Sequence, residues 1–157
     1  MIKIIGLGNA LRGDDCVGLH ILEGLRKAEF KRPVDIIEAG SDAFLLLEHL
    51  LAPEPLIIVD CAELGKEPGT FIKLRISEEN LPEAAAGISL HGFSFAETYQ
   101  MARKMGSSPN CTVFGIQPKS IEFNSDLSFE VKRNIPLIID AIVEEVNAYE
   151  PEKDSDH

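Results

Sequence analysis

Two adjacent carboxylates, Asp14 and Asp15, stand near the start of the chain in GLGNALRGDDCVG. A third, Asp60, ends the apolar run PLIIVD, and one imidazole, His91, stands in SLHGF. Glu38 adds a further acid in VDIIEAG. One histidine and several carboxylates at one edge of a domain make a site of mixed nitrogen and oxygen donors for a divalent ion. Asp60 follows the aliphatic run LIIV, so its carboxylate must be paired, hydrated or used, because burying it unpaired is costly. Each residue also has a plainer role. Asp14 or Asp15 can cap a helix, Asp60 can accept from a nearby backbone amide, and His91 can be an ordinary capping or surface imidazole. Cys16 and Cys61 each follow a candidate acid, but isolated cysteines are usually buried as small apolar side chains. His20, His49 and His157 read as surface residues. No HExxH, no GxSxG and no paired cysteine spacing occurs, so those hydrolase and zinc signatures do not apply.

The glycines that precede the acids raise a second question. A strand followed by Gly6, Gly8 and Asn9 is shaped like a phosphate cradle. The dinucleotide fingerprint needs a third glycine, and Leu11 stands there instead. A pyrophosphate would also meet Asp14 and Asp15 where it needs free amides. The turn suits a cation better than an anion.

These residues are positioned by alternating strands and helices. IKIIG, VDIIEAG and PLIIVD are short apolar runs of the kind found in buried parallel strands. TFIKLRI alternates like a strand with one solvated face, an edge strand. CTVFGIQP is the last strand. Between them, Val17, Ile21, Leu22 and Leu25 share one helical face. Ser41 is the expected N-cap of DAFLLLEHLL, a helix apolar on nearly all sides and so expected to be well packed. SEENLPEAAAGIS reads as a loop with a short helical turn. Ser94 and Glu97 form a capping-box pair for the next helix, which Gly106 closes. In the long pattern LSFEVKRNIPLIIDAIVEEVNAY, Val131, Ile135, Ile138, Ile142 and Val146 line one side, and Pro136 should kink or split it. The pattern predicts an α/β fold: a three-layer αβα sandwich around a mainly parallel, twisted, five-stranded sheet. One domain is expected over residues 1–148, with a frayed acidic tail over 149–157. In such sheets ligands bind at the carboxyl ends of the strands, where Asp14, Asp15, Asp60, Glu38 and His91 all fall.

Composition narrows the partners. The chain has 157 residues, 45% of them apolar, with a formal net charge of -11. That sign argues against a nucleic-acid partner, since phosphate backbones are held by Lys and Arg. The three cysteines are widely spaced, which argues against a disulfide framework and for a reducing compartment. No apolar run is long enough to span a bilayer. With no basic leader before Ile2, the expected location is the cytoplasm, with no membrane partner.

GLGNALRGDDCVG resembles the G-x-GN-x-L-x-x-D-[DE]-x-x-G opening of the [NiFe]-hydrogenase maturation proteases. EAGSDAF stands where that family has an Asp-Gly-Gly-Thr-like stretch. PLIIVDCAELGKEPGT is similar to its strand-Asp-loop-Pro-Gly-Thr segment, SLHGFSFAE to its Ser-x-His segment, and VFGIQPKSIEFNSDLSFEV to its closing segment and long helix. The similarity runs in order from Ile2 to Val146. It implies the phosphorylase/hydrolase-like fold and an endopeptidase that removes a short C-terminal extension from the precursor of a hydrogenase large subunit. It also implies that nickel arrives with the precursor and is not a permanent cofactor. By position, the metal-contacting and catalytic residues fall on Asp15, Asp60 and His91, and substrate contacts on Gly8, Asn9, Glu38, Gly40 and Ser41. The catalytic step is left open between a metal-bound water and a carboxylate base, so the class is aspartic-type or metal-assisted. Glu38 and Ala39 replace the usual Asp and first Gly of the second motif, while Ser41 keeps the hydroxyl of the usual Thr. HGFSFAE is most similar to proteases serving the deazaflavin-reducing hydrogenases of methanogens. Two other functions share parts of this pattern. A nickel-sensing chaperone would grip the precursor with the same three residues. A peptidyl-tRNA hydrolase also opens with GLGN, but Ala10 replaces its Pro and His20 lacks its neighbours.

Overall fold

The computed structural model describes residues 1–77, 79–80, 89–90 and 93–151, with the backbone alone at 89–90 and 93–94. Five strands form one sheet: β1 (Ile2–Leu7), β2 (Val34–Gly40), β3 (Leu56–Cys61), β4 (Phe71–Arg75) and β7 (Cys111–Ile116). Their order is β2-β1-β3-β7-β4. All neighbours run parallel except β4, which pairs antiparallel with β7 and closes one edge. Two short strands, β5 (Ser89–Leu90) and β6 (Phe93–Ser94), form a separate antiparallel pair.

The central strands are apolar on both faces because helices cover both faces. Ile4, Ile57 and Val59 point to one side, where α1 (Val17–Arg26) and α4 (Phe129–Ala148) pack. Ile5 and Ile58 point to the other, against α2 (Ala43–Leu51) and α3 (Phe95–Lys104). The strand period of two thus feeds two separate cores. The α/β sandwich and the edge character of β4 agree with the sequence reading.

Several local expectations are corrected. Asp42, not Ser41, caps α2: its Oδ1 accepts from the Leu45 amide at 3.0 Å. That helix is not packed all round, because it meets the sheet on one side only. Leu46 and Leu50 are buried, while Phe44 is 85% exposed. Neither Asp14 nor Asp15 caps α1. Both lie in a 3-10 turn, Gly13–Cys16, and Cys16 holds the cap position without a side-chain bond. Pro136 does not split the last helix, which runs unbroken over 20 residues. Val131 before the proline and Ile138, Ile142 and Val146 after it are buried in one core, so packing holds both halves together. Ile135 packs against that core partly buried.

Some expectations fall outside the described residues. They are most of the loop 77–89, the Ser94 side chain of the capping pair, and the tail from 152 onward. Tyr149, where the expected tail begins, lies within the described residues and is packed: its hydroxyl is 3.1 Å from Asn110 Nδ2.

Candidate active site

The site grows from the chain's route through the sheet. From β1 the chain leaves through α1 to β2 on one side; from β2 it crosses through α2 to β3 on the other. The carboxyl ends of β1 and β3 therefore flank a switch point, where open α/β sheets leave a crevice. Gly18 lets α1 close on this point: a Cβ there would lie 2.6 Å from the Leu7 carbonyl oxygen and 3.0 Å from that of Val59.

Asp60, the penultimate residue of β3, is 1% exposed. Its Oδ1 accepts the Cys61 amide at 2.7 Å. Its Oδ2 is buried and meets no hydrogen-bond donor among the described residues. Burial first, and the nearby Asp15 carboxylate second, hold the Asp60 carboxyl well above the usual range, against the smaller opposing effect of the Cys61 amide. Of the three choices for such a residue, paired, hydrated or used, pairing is met for one oxygen only.

Asp15 is also buried, and its Oδ2 accepts the Asn9 amide at 2.8 Å. The glycine turn fixes where Asp15 stands, near enough for its charge to act on Asp60. Gly8 has φ +124°, and a Cβ there would overlap the Asp15 carbonyl oxygen. The Gly8 amide donates to the Gly40 carbonyl at 3.0 Å, tying the turn to the end of β2. The turn thus holds a carboxylate and not a phosphate.

Asp14 points away from its neighbour, which corrects the view of both acids as facing a cation. It is fully buried and accepts four hydrogen bonds. Its Oδ2 takes the Lys119 amide at 2.8 Å, the Ser120 amide at 3.2 Å and the Ser128 hydroxyl at 2.8 Å; its Oδ1 takes the Ser128 amide at 2.6 Å. Adjacent residues of a tight turn project apart, so Asp14 binds the 119–128 segment while Asp15 lies near Asp60.

The remaining expected residues divide. Glu38 pairs with Gly6 across the sheet and is exposed, beside a bulge that sets Gly40 opposite Leu7. Ser41 is exposed on the loop that follows. His91 lies outside the described residues. Among those described, no three His, Cys, Asp or Glu side chains gather as a metal-binding group. Cys16, Cys61 and Cys111 are free and buried. Burial pushes all three thiols up, with neighbouring carboxylates adding to the shift at Cys16 and Cys61. They pack as apolar side chains, as expected. His20 is exposed, whereas His49 is half-buried with Nδ1 3.3 Å from Lys3 Nζ.

Gln117 was not anticipated. It is 4% exposed, and its Oε1 accepts the Leu64 amide at 2.6 Å, holding the loop that follows Asp60. Only the partner 53 residues away reveals that role.

Comparison with known proteins assigns this architecture. The family description of the hydrogenase maturation proteases matches residues 19–145. The hydrogenase expression/formation protein HupD of Rhizobium leguminosarum is 31% identical over 145 residues, covering 90% of this chain and 72% of HupD. HoxM of Cupriavidus necator, described in the same words, is 31% identical over 149 residues, covering 92% and 71%. Among solved structures, the hydrogenase maturating endopeptidase HybD from E. coli superposes with a TM-score of 0.77 at 28% identity, covering 90% of this chain and 88% of that one. The chain belongs to the hydrogenase maturation protease family and is a peptide hydrolase. The peptidyl-tRNA hydrolase alternative is thereby set aside. Among the described residues no helix is long and apolar enough to cross a membrane.

Proposed function

We propose that Asp15, Asp60 and His91 read the nickel carried by a hydrogenase large-subunit precursor and assist removal of its short C-terminal extension. C-terminal processing of the large subunit is the activity the relatives support; the nickel reading and the residue roles go beyond them. The observation that carries the proposal is Asp60 Oδ2, a buried carboxylate oxygen left without a donor among the described residues and set beside a second carboxylate. That arrangement is unfavourable in the protein alone and becomes favourable when a divalent cation stands between the two acids.

Such a site discriminates. Two carboxylates and a neutral imidazole can fill open positions on the ion while the precursor's thiolates keep theirs. An empty precursor offers no anchor, so cleavage follows metal loading through differential binding. Asp60 holds its proton above the usual carboxylate range and can give or take one at Oδ2 in peptide hydrolysis. Gly8, Asn9 and Gly40 hold the turn, and Glu38 and Ser41 on the adjacent exposed edge would meet the substrate chain. Three buried free thiols suit work in the reducing cytoplasm.

The test is a processing assay read by intact-mass spectrometry. The protein is mixed with nickel-loaded and nickel-free precursor, the deazaflavin-reducing type first. Loss of a C-terminal peptide from the loaded form alone is the expected result. Equal loss from both forms would remove the nickel gate. A stable complex without cleavage would leave a chaperone.

A further inference from the structure

An exposed apolar surface is built on the turn that carries Asp15. Leu11 is 63% exposed and Phe123 is 65% exposed, with Ile121 exposed beside them. Leu11 belongs to the turn that carries Asp15, and hydrogen bonds join the two. Asp15 Oδ2 accepts the Asn9 amide, Asn9 Oδ1 accepts the Leu11 amide at 2.9 Å, and the Leu11 carbonyl accepts the Asn124 amide at 2.9 Å. The Arg12 guanidinium lies 4.8 Å from the centre of the Phe123 ring, and its Nε donates to the Ile121 carbonyl at 3.4 Å. Beneath them the four hydrogen bonds to Asp14 clasp segment 119–128 onto the same turn.

Large apolar side chains held in water by a preformed scaffold are a feature of recognition surfaces. Hydrogen bonds already tie these loops to the turn, which lowers the ordering cost of binding here. We propose, resting on the assignment of Asp15 and Asp60 above, that Leu11, Ile121 and Phe123 are specificity-determining residues that receive an apolar segment of the protein substrate next to its scissile bond. Continuity selects the substrate as occupant over a second copy of this chain. Leu11 and Asp15 share one turn, so a polypeptide held at Asp15 and Asp60 has Leu11 within reach. In this role the surface contributes to binding and leaves the chemical step alone, which places its effect in KM.

The experiment compares steady-state processing of nickel-loaded precursor by the wild-type chain, by Leu11→Ser/Phe123→Ser, and by Leu137→Ser. Leu137 is an equally exposed apolar residue on α4 that controls for general loss of surface apolarity. The double variant should raise KM about tenfold with kcat within about twofold, as expected for two apolar anchors of a protein interface, and Leu137→Ser should change neither. Ultracentrifugation and circular dichroism accompany each variant. An unchanged KM in the folded double variant overturns the proposal. So does a loss of self-association in that variant without a KM change, which would give the surface to a second copy. A wild-type chain that cleaves nothing would overturn the protease reading itself, and this surface assignment with it.

Discussion

Asp60 joins a stability cost and the role proposed for it in one side chain. Its folded-state carboxyl titrates above its ordinary value, so the folded chain binds a proton more tightly than the unfolded chain. Its penalty is therefore absent below the ordinary Asp range near about 3.9 and grows as pH rises through the window up to the raised value. Asp60→Asn should melt close to the wild type at pH 4 and several degrees above it at pH 7 to 8, measured without metal. Equal melting temperatures at both pH values would mean that the buried carboxylate costs nothing. The same variant should lose processing, as should Asp60→Ala and His91→Ala with the fold intact by circular dichroism. Retained activity in both alanine variants would remove the site.

At the scale of elements, the turn and the clasp position that residue's partner. A side chain on Gly8 would have to adopt φ +124° and overlap the Asp15 carbonyl. Gly8→Ala should cost about 1–3 kcal/mol in urea denaturation and abolish most processing, because the turn must move Asp15 to admit the methyl group. Asp14→Ala removes the acceptor of three backbone amides and one hydroxyl. The expected loss is about 2–4 kcal/mol, with new proteolytic cleavage within 119–128 as the local signature. An unchanged proteolytic pattern would show that the segment holds its place without Asp14.

For the whole molecule, two cores on opposite faces of one sheet carry the stability, while the proposed chemistry lies at the switch point. Ile138 is fully buried in the core shared by α1 and α4. Ile138→Ala should lower stability by about 2–4 kcal/mol. Its processing rate per folded molecule, measured well below the melting transition, should match the wild type. A fall in that rate would couple the helical layer to the site.

Much was legible locally. Apolar runs of strand length predict buried strands at IKIIG and PLIIVD, and the structure places β1 and β3 there because burial on both faces demands such runs. Asp60 stood out for the same reason: a carboxylate at the end of a buried strand is conspicuous. Short-range detail was less legible. Ser41 and Asp42 are both good caps, and the choice between them depended on how α2 enters from the bulge on β2. The exposure of Phe44 depended on how much of α2 the sheet could cover.

What the sequence alone determined is the alternation of strand and helix, the strand ends that bear acids, and the family resemblance, since each depends on residue type and near spacing. The resemblance singles out Asp15 by position, and the tertiary structure alone shows what surrounds each acid. Asp14 and Asp15 are chemically identical neighbours. One is bound by Lys119, Ser120 and Ser128, more than 100 residues away, and the other faces Asp60 across the switch point. Residue type and spacing alone do not distinguish them, because the difference lies in partners that only the folding of the chain brings near.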